Sequence, residues 1–132
     1  MKRAKQKVLC GADVVAKTGY DFKGKCGLIT NPTGVLKDLS STIDMLRERC
    51  NLTALFSPEH GIRGDAQAGE CISTYTDKKT ILPVYSLFGD NAEESKRIIS
   101  SLDTVIFDIQ DVGARFYTYA YTMTDAMKLC AE

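Results

Sequence analysis

The side chains best equipped for chemistry in this chain stand just after short apolar runs. Asn31 follows Lys25–Thr30, and Glu59 and His60 follow Leu52–Phe56 through Ser57-Pro58. Gln110 and Asp111 follow Thr104–Ile109, with Arg115 close behind. Apolar runs of that length, bounded by turn formers, read as buried strands. In an open parallel sheet, ligands bind beyond the carboxyl ends of the strands. Right-handed crossovers bring those ends to one rim. The expected result is a concave cluster of carboxylates, one imidazole and the guanidiniums of Arg63 and Arg115. Such a cluster suits a polar, hydroxyl-rich or anionic ligand.

Every member also has a plainer reading. Asn31-Pro32-Thr33-Gly34 makes a turn, and Glu59 caps the turn after Pro58. His60, the single histidine, serves as a hydrogen-bonded structural residue. Asp111 pairs with Arg115, and Tyr117, Tyr119 and Tyr121 alternate for packing rather than as a platform for a sugar ring. What marks a site is the convergence of these residues on one rim.

The elements that must position them alternate between strand and amphipathic helix, the pattern of an α/β domain. A third strand is expected over Leu82–Phe88, broken by Gly89-Asp90. One helix begins with a capping-box pattern, Ser41 with Asp44, buries Ile43, Leu46 and Cys50, and closes at Asn51. A second opens at Asn91 with Glu94 and turns Ile98, Ile99 and Leu102 inward. A last helix presents Met123, Ala126, Met127 and Cys130 at helical spacing. The connection from Glu59 to Leu82 shows no helical stripe. Loops that long are uncommon in compact domains unless functional or disordered, and its varied polar residues (Arg63, Asp65, Gln67, Glu70) favour function. After the last helix a further strand is expected, so the chain reads as a fragment or as a domain that pairs with something else.

The 132 residues suffice for one core. Lys+Arg and Asp+Glu both number 17, which leaves no electrostatic footprint for nucleic acid. The basic start (Lys2, Arg3, Lys5, Lys7) reads as a solvated terminus. No run approaches the length of a membrane span, and no apolar segment follows the basic start as in a signal peptide. Cys10, Cys26, Cys50, Cys71 and Cys130 are odd in number and scattered. They lack metal-ligand spacing, and reduced, packed thiols are the expectation. Thiols and missing leader together point to the cytoplasm, or to the periplasm or exterior if a leader was removed. A nucleotide cofactor is disfavoured, because no G-x-G-x-x-G follows the first strand and no Walker-type Gly-Lys-Ser/Thr occurs. Neither cofactor nor metal is expected.

Four blocks in order resemble one bacterial family. They are Gly27-Leu28-Ile29-Thr30-Asn31-Pro32-Thr33-Gly34, Leu55-Phe56-Ser57-Pro58-Glu59-His60-Gly61-Ile62-Arg63-Gly64, Leu82-Pro83-Val84-Tyr85-Ser86-Leu87-Phe88-Gly89, and Phe107-Asp108-Ile109-Gln110-Asp111-Val112-Gly113-Ala114-Arg115-Phe116-Tyr117-Thr118-Tyr119. The family is that of the exo-β-N-acetylmuramidases, long a domain of unknown function, which release N-acetylmuramic acid from the non-reducing end of peptidoglycan fragments. The resemblance implies a Rossmann-like, three-layer α/β domain with a mainly parallel sheet over residues 1–132. It also implies a second domain outside this chain, with the active site in the cleft between the two, and a muramic acid-containing glycan as substrate.

Glu59 matches the family's proposed catalytic glutamate. It is expected to protonate the leaving oxygen, with His60 orienting it and Asp111 as the second carboxylate, unless that partner lies beyond Glu132. Arg63 and Arg115 suit the lactyl carboxylate of muramic acid. Asn31 and Gln110 suit its hydroxyl and acetamido groups, and Tyr117 or Tyr119 its ring. A non-catalytic carbohydrate-binding module and a Rossmann-like interaction or nucleotide-binding domain are the competing readings.

Overall fold

A computed structural model of the protein describes residues 8–58, 61–64, 74–89 and 92–131. In chain order the elements are α1 (Gly11–Thr18), β1 (Lys25–Thr30), α2 (Thr42–Arg49), β2 (Asn51–Ser57), β3 (Tyr75–Thr76), β4 (Pro83–Ser86), α3 (Ala92–Ser100), β5 (Thr104–Asp108) and α4 (Tyr119–Ala131). The sheet runs β3-β4-β2-β1-β5. All neighbours are parallel except the short β3, which pairs antiparallel with β4. This is the Rossmann-like, mainly parallel sheet that the alternating pattern predicts.

Side chains alternate across a strand, so each apolar run feeds two cores. Cys26, Leu28, Leu52, Leu55 and Val84 face α2, where Ile43 and Leu46 complete the cluster and Val15 of α1 packs against it. Ile29, Ala54 and Phe56 face the other way, onto Ile99 of α3 and Ala126 of α4. β1 is buried from Cys26 to Thr30 because it has neighbours on both edges and helices on both faces. Every residue of β5 is half-buried, because β5 is an edge strand.

Several expectations need correction. Ser41 is the N-cap of α2, but its side chain makes no capping bond; Asp44 instead pairs with Lys79. The helix ends at Arg49 with Cys50 as its C-cap, and Asn51 already belongs to β2. α4 buries Thr122 and Ala126, while Met123 and Met127 are 40% and 64% exposed. Edge strand β5 gives that helix too little sheet to lie on, so most of its stripe, Met123, Met127 and Cys130, faces outward. The long connection holds a strand, β3, and a turn after it; its residues 65–73, with Asp65, Gln67 and Glu70, lie outside the described residues.

Helix α1 escapes sequence inspection because its stripe is short. Its Asp13 accepts the backbone N–H of Lys37 at 3.0 Å and so ties the loop after β1 to the helix. The described thiols differ in burial, and Cys71 lies outside the described residues. Cys26 is buried as expected, but Cys10 and Cys130 are exposed. The Cys50 thiol is pushed up to about 12 by burial and by neighbouring Cys26.

Candidate functional site

The chain steps from β1 through β2 to β4 on one side, then returns over β1 through α3 to β5. The carboxyl ends of β1 and β5 therefore flank the point where the crossovers diverge, the place where open α/β sheets form a crevice. Thr30 pairs in register with Asp108 there, and the Thr30 hydroxyl donates to the Asp108 carbonyl at 2.9 Å.

The two loops leaving this point are joined by one threonine. Asn31 Oδ1 accepts the Thr33 backbone N–H at 2.9 Å and its hydroxyl at 2.6 Å. The same hydroxyl oxygen accepts the backbone N–H of Gln110 at 2.8 Å. Asn31 and Gln110, far apart in sequence, are thus neighbours. The amide oxygen of Asn31 is committed to the turn, while its Nδ2 has no protein partner among the described residues. The turn that offers the plain reading of Asn31-Pro32-Thr33-Gly34 is present, with Gly34 N–H donating to Asn31 O at 3.0 Å. It also builds the rim.

Gly34 is required at this point. A Cβ there would lie 2.2 Å from Thr30 Oγ1 and 3.2 Å from the Asp108 carbonyl oxygen. Gly34→Ala is expected to lower stability by about 1–3 kcal/mol, the usual cost of an overpacked methyl group, and to loosen the β1–β5 junction. Urea denaturation of the two forms measures it; an unchanged midpoint would mean that the junction yields freely.

A small cleft beside the turn is lined by Asn31, Pro32, Gly34, Ile43, Ile62 and Arg63. Arg63 Nε and Nη2 donate to Asp77 Oδ1 and Oδ2 at 2.7 and 2.8 Å. The arginine side chain is 31% exposed and the aspartate 4%. The Arg63 fork holds the Asp77 carboxyl well below the usual carboxylate range; burial opposes this, and bonds from Thr80 add to it.

Asp77 therefore stays ionised to lower pH in the folded chain than in the unfolded one. It contributes stability above the ordinary carboxylate value of about 4, and that contribution is lost as pH falls from there toward its folded value. Asp77→Asn should flatten the acid side of a melting temperature against pH curve below about pH 4. Parallel curves would mean that the pair contributes nothing.

Among the other expected site residues, Asp111 is exposed, and its Oδ1 accepts the Gly113 N–H at 2.6 Å. Arg115 is exposed too, and no ion pair joins it to Asp111 among the described residues. The Tyr117 and Tyr119 rings lie 5.6 Å apart, tilted by 45°. Glu59 and His60 lie outside the described residues, between buried Pro58 and buried Gly61.

Two acidic residues passed over in the sequence gain weight. Asp77 is one; a turn-forming Asp followed three residues later by Thr80 is its only local sign. Asp108 is the other. By strand alternation it shares the α2 side with Ile106, and its Oδ2 is buried without a hydrogen-bond partner among the described residues. Buried carboxylate oxygens are seldom left so, and in sequence Asp108 looks like the last residue of a strand.

A mainly parallel sheet whose switch point carries a stitched, polar rim defines a Rossmann-like domain. The chain belongs to the family described as exo-β-N-acetylmuramidase NamZ, N-terminal, whose model matches residues 26–132. It is 50% identical over 132 residues to the peptidoglycan β-N-acetylmuramidase NamZ of Bacillus subtilis (strain 168), covering 97% of this chain and 32% of that protein. Two solved structures of DUF1343 family proteins from Bacteroides fragilis NCTC 9343 share the fold. One is 47% identical with a TM-score of 0.68, covering 81% of this chain and 27% of the other. The second is 34% identical with a TM-score of 0.68, covering 96% and 32%. The chain thus spans about a third of the length of these relatives.

Proposed function

We propose that this chain is the N-terminal catalytic domain of a glycosidase that releases N-acetylmuramic acid from the non-reducing end of peptidoglycan fragments. The observation that carries the reading is the junction of the β1 and β5 loops, where Asn31, Thr33 and Gln110 are tied together at the switch point of the sheet. β2, which Glu59 and His60 follow in the sequence, ends at the same edge of the sheet. Membership of the muramidase family supports a glycan as the ligand of that rim.

In this mechanism Glu59 donates a proton to the glycosidic oxygen as the bond to the leaving sugar breaks, and His60 orients it. Asp111 acts as the second carboxylate, directing water or attacking the anomeric carbon. Asn31, through its Nδ2, and the exposed Gln110 bind hydroxyl and acetamido groups. Exposed Arg115 takes the lactyl carboxylate, and the Tyr117–Tyr119 pair offers the sugar an apolar face. A second domain, in a polypeptide as long as the relatives, closes the cleft and excludes water.

Hydrolysis of a chromogenic β-N-acetylmuramide tests the reading. A polypeptide of full family length that carries this chain should cleave it, and its Glu59→Gln variant should not. If the full-length form binds muramides without cleaving them, the carbohydrate-binding module takes the place of the enzyme.

A further inference from the structure

The segment from Ser57 to Gly64 has fixed points on both sides of Glu59 and His60. Upstream, Ser57 is the last residue of β2, its carbonyl accepts the Leu87 N–H at 3.0 Å, and Pro58 is fully buried. Downstream, Ile62 is 2% exposed and belongs to the α2-side core. Arg63 next to it is gripped by Asp77 through two bonds. Gly64, at φ +75°, lies close enough to the Asn31 turn that a Cβ would meet Pro32 Cγ at 3.1 Å.

Asp77 is itself immobilised by its own turn. Its Oδ2 accepts the Thr80 N–H at 3.0 Å and the Thr80 hydroxyl at 2.6 Å. Its backbone N–H donates to the Leu82 carbonyl at 2.9 Å, and its carbonyl accepts the Ile81 N–H at 2.8 Å. A planar fork on a carboxylate held this firmly sets the direction of the arginine as well as its distance. A ligand carboxylate approaching the same guanidinium would find it neutralised by Asp77 and would meet the negative charge of that residue.

We propose that Asp77 and Arg63 are positioning residues, a clamp that fixes Ile62–Gly64, the stretch that follows Glu59 and His60 in the sequence, beside the Asn31 turn, and that Arg63 is not part of the carboxylate-binding set. The proposal rests on the glycosidase reading for its kinetic consequence and on the hydrogen-bond geometry for its structural one.

Two measurements on a polypeptide of full family length decide it. In turnover of a chromogenic β-N-acetylmuramide, Arg63→Lys and Asp77→Asn should each lower kcat by about 10–100-fold, the scale expected when a catalytic group is displaced by about an ångström. KM should stay within about threefold, since uniform binding is untouched. The double variant should be no worse than the more damaged single one, because both remove one interaction. The affinity for N-acetylmuramic acid should be unchanged by Arg63→Lys. Weaker binding of N-acetylmuramic acid with undiminished binding of N-acetylglucosamine would return Arg63 to the ligand and overturn the clamp, as would additive losses in kcat.

Amide hydrogen exchange is the second measurement and does not depend on turnover. Asp77→Asn should speed exchange at Gly61–Gly64 by about tenfold or more, as local opening becomes easier; unchanged exchange overturns the clamp. If the parent cleaves no muramide, the glycosidase reading falls while exchange still decides the clamp. An active parent with undiminished kcat in both variants sinks the clamp alone. Should Asp77→Asn not fold, Asp77→Glu keeps the charge but shifts its reach, and the same kinetic and exchange readouts apply.

Discussion

Glu59→Gln is expected to abolish nearly all turnover of a muramide by the full-length form while leaving the affinity for N-acetylmuramic acid almost intact. The substitution keeps the shape of the side chain and removes the proton it would deliver. General acid catalysis contributes about 10²–10⁴-fold to rate, and kcat should fall by that factor. A group that acts only as the bond breaks contributes to the transition state and not to ground-state binding, so binding should change by about twofold at most.

Leaving-group dependence sharpens the expectation. A substrate whose aglycone departs readily without protonation should lose less than one with an ordinary sugar leaving group, because the acid matters most where the leaving oxygen is basic. Equal losses on both substrates would mean that Glu59 serves the reaction in some other way, for instance by holding His60. Full activity in the variant would remove Glu59 from the mechanism.

Arg115→Leu carries the second large effect. Arg115 is exposed and has no ion pair among the described residues, whereas the Nε–Nη2 fork of Arg63 is occupied by Asp77. A charged hydrogen-bonded contact is worth roughly 1.5–3 kcal/mol, so its loss should weaken N-acetylmuramic acid binding by about 10–100-fold. N-acetylglucosamine, which lacks the lactyl group, should bind the variant and the parent alike. Equal weakening for both sugars would place Arg115 in the fold of the rim and not at the carboxylate. The contrast with Arg63→Lys is informative, since there kcat and not affinity is expected to move.

The strands were legible because each is a short apolar run ended by turn formers, and burial on two faces demands just such a run. β1 falls on Lys25–Thr30 as read, and β2, β4 and β5 lie within a residue or two of expectation. That Asn31 and Gln110 would share a rim followed from strand direction and crossover handedness, which are local and chiral rules. Residues whose meaning depends on a distant partner were not legible. Asp77 reads as a turn former until Arg63 is seen on it. Asp108 reads as a strand terminus until its oxygen is seen buried without a partner among the described residues. The outward part of the α4 stripe could not be told from a core stripe, because helical spacing records a face and not what covers it.

The sequence therefore carried the family, the order of elements and the edge of the sheet where polar residues gather, all of which follow from local pattern and chain direction. Which neighbour each of those side chains grips came only with the folded chain. A guanidinium can grip a ligand or a neighbour, and only the position of Asp77 shows which partner Arg63 has. Strand order likewise depends on which runs pair, a long-range choice settled by packing on both faces, and it is that choice that brings Thr33 between Asn31 and Gln110.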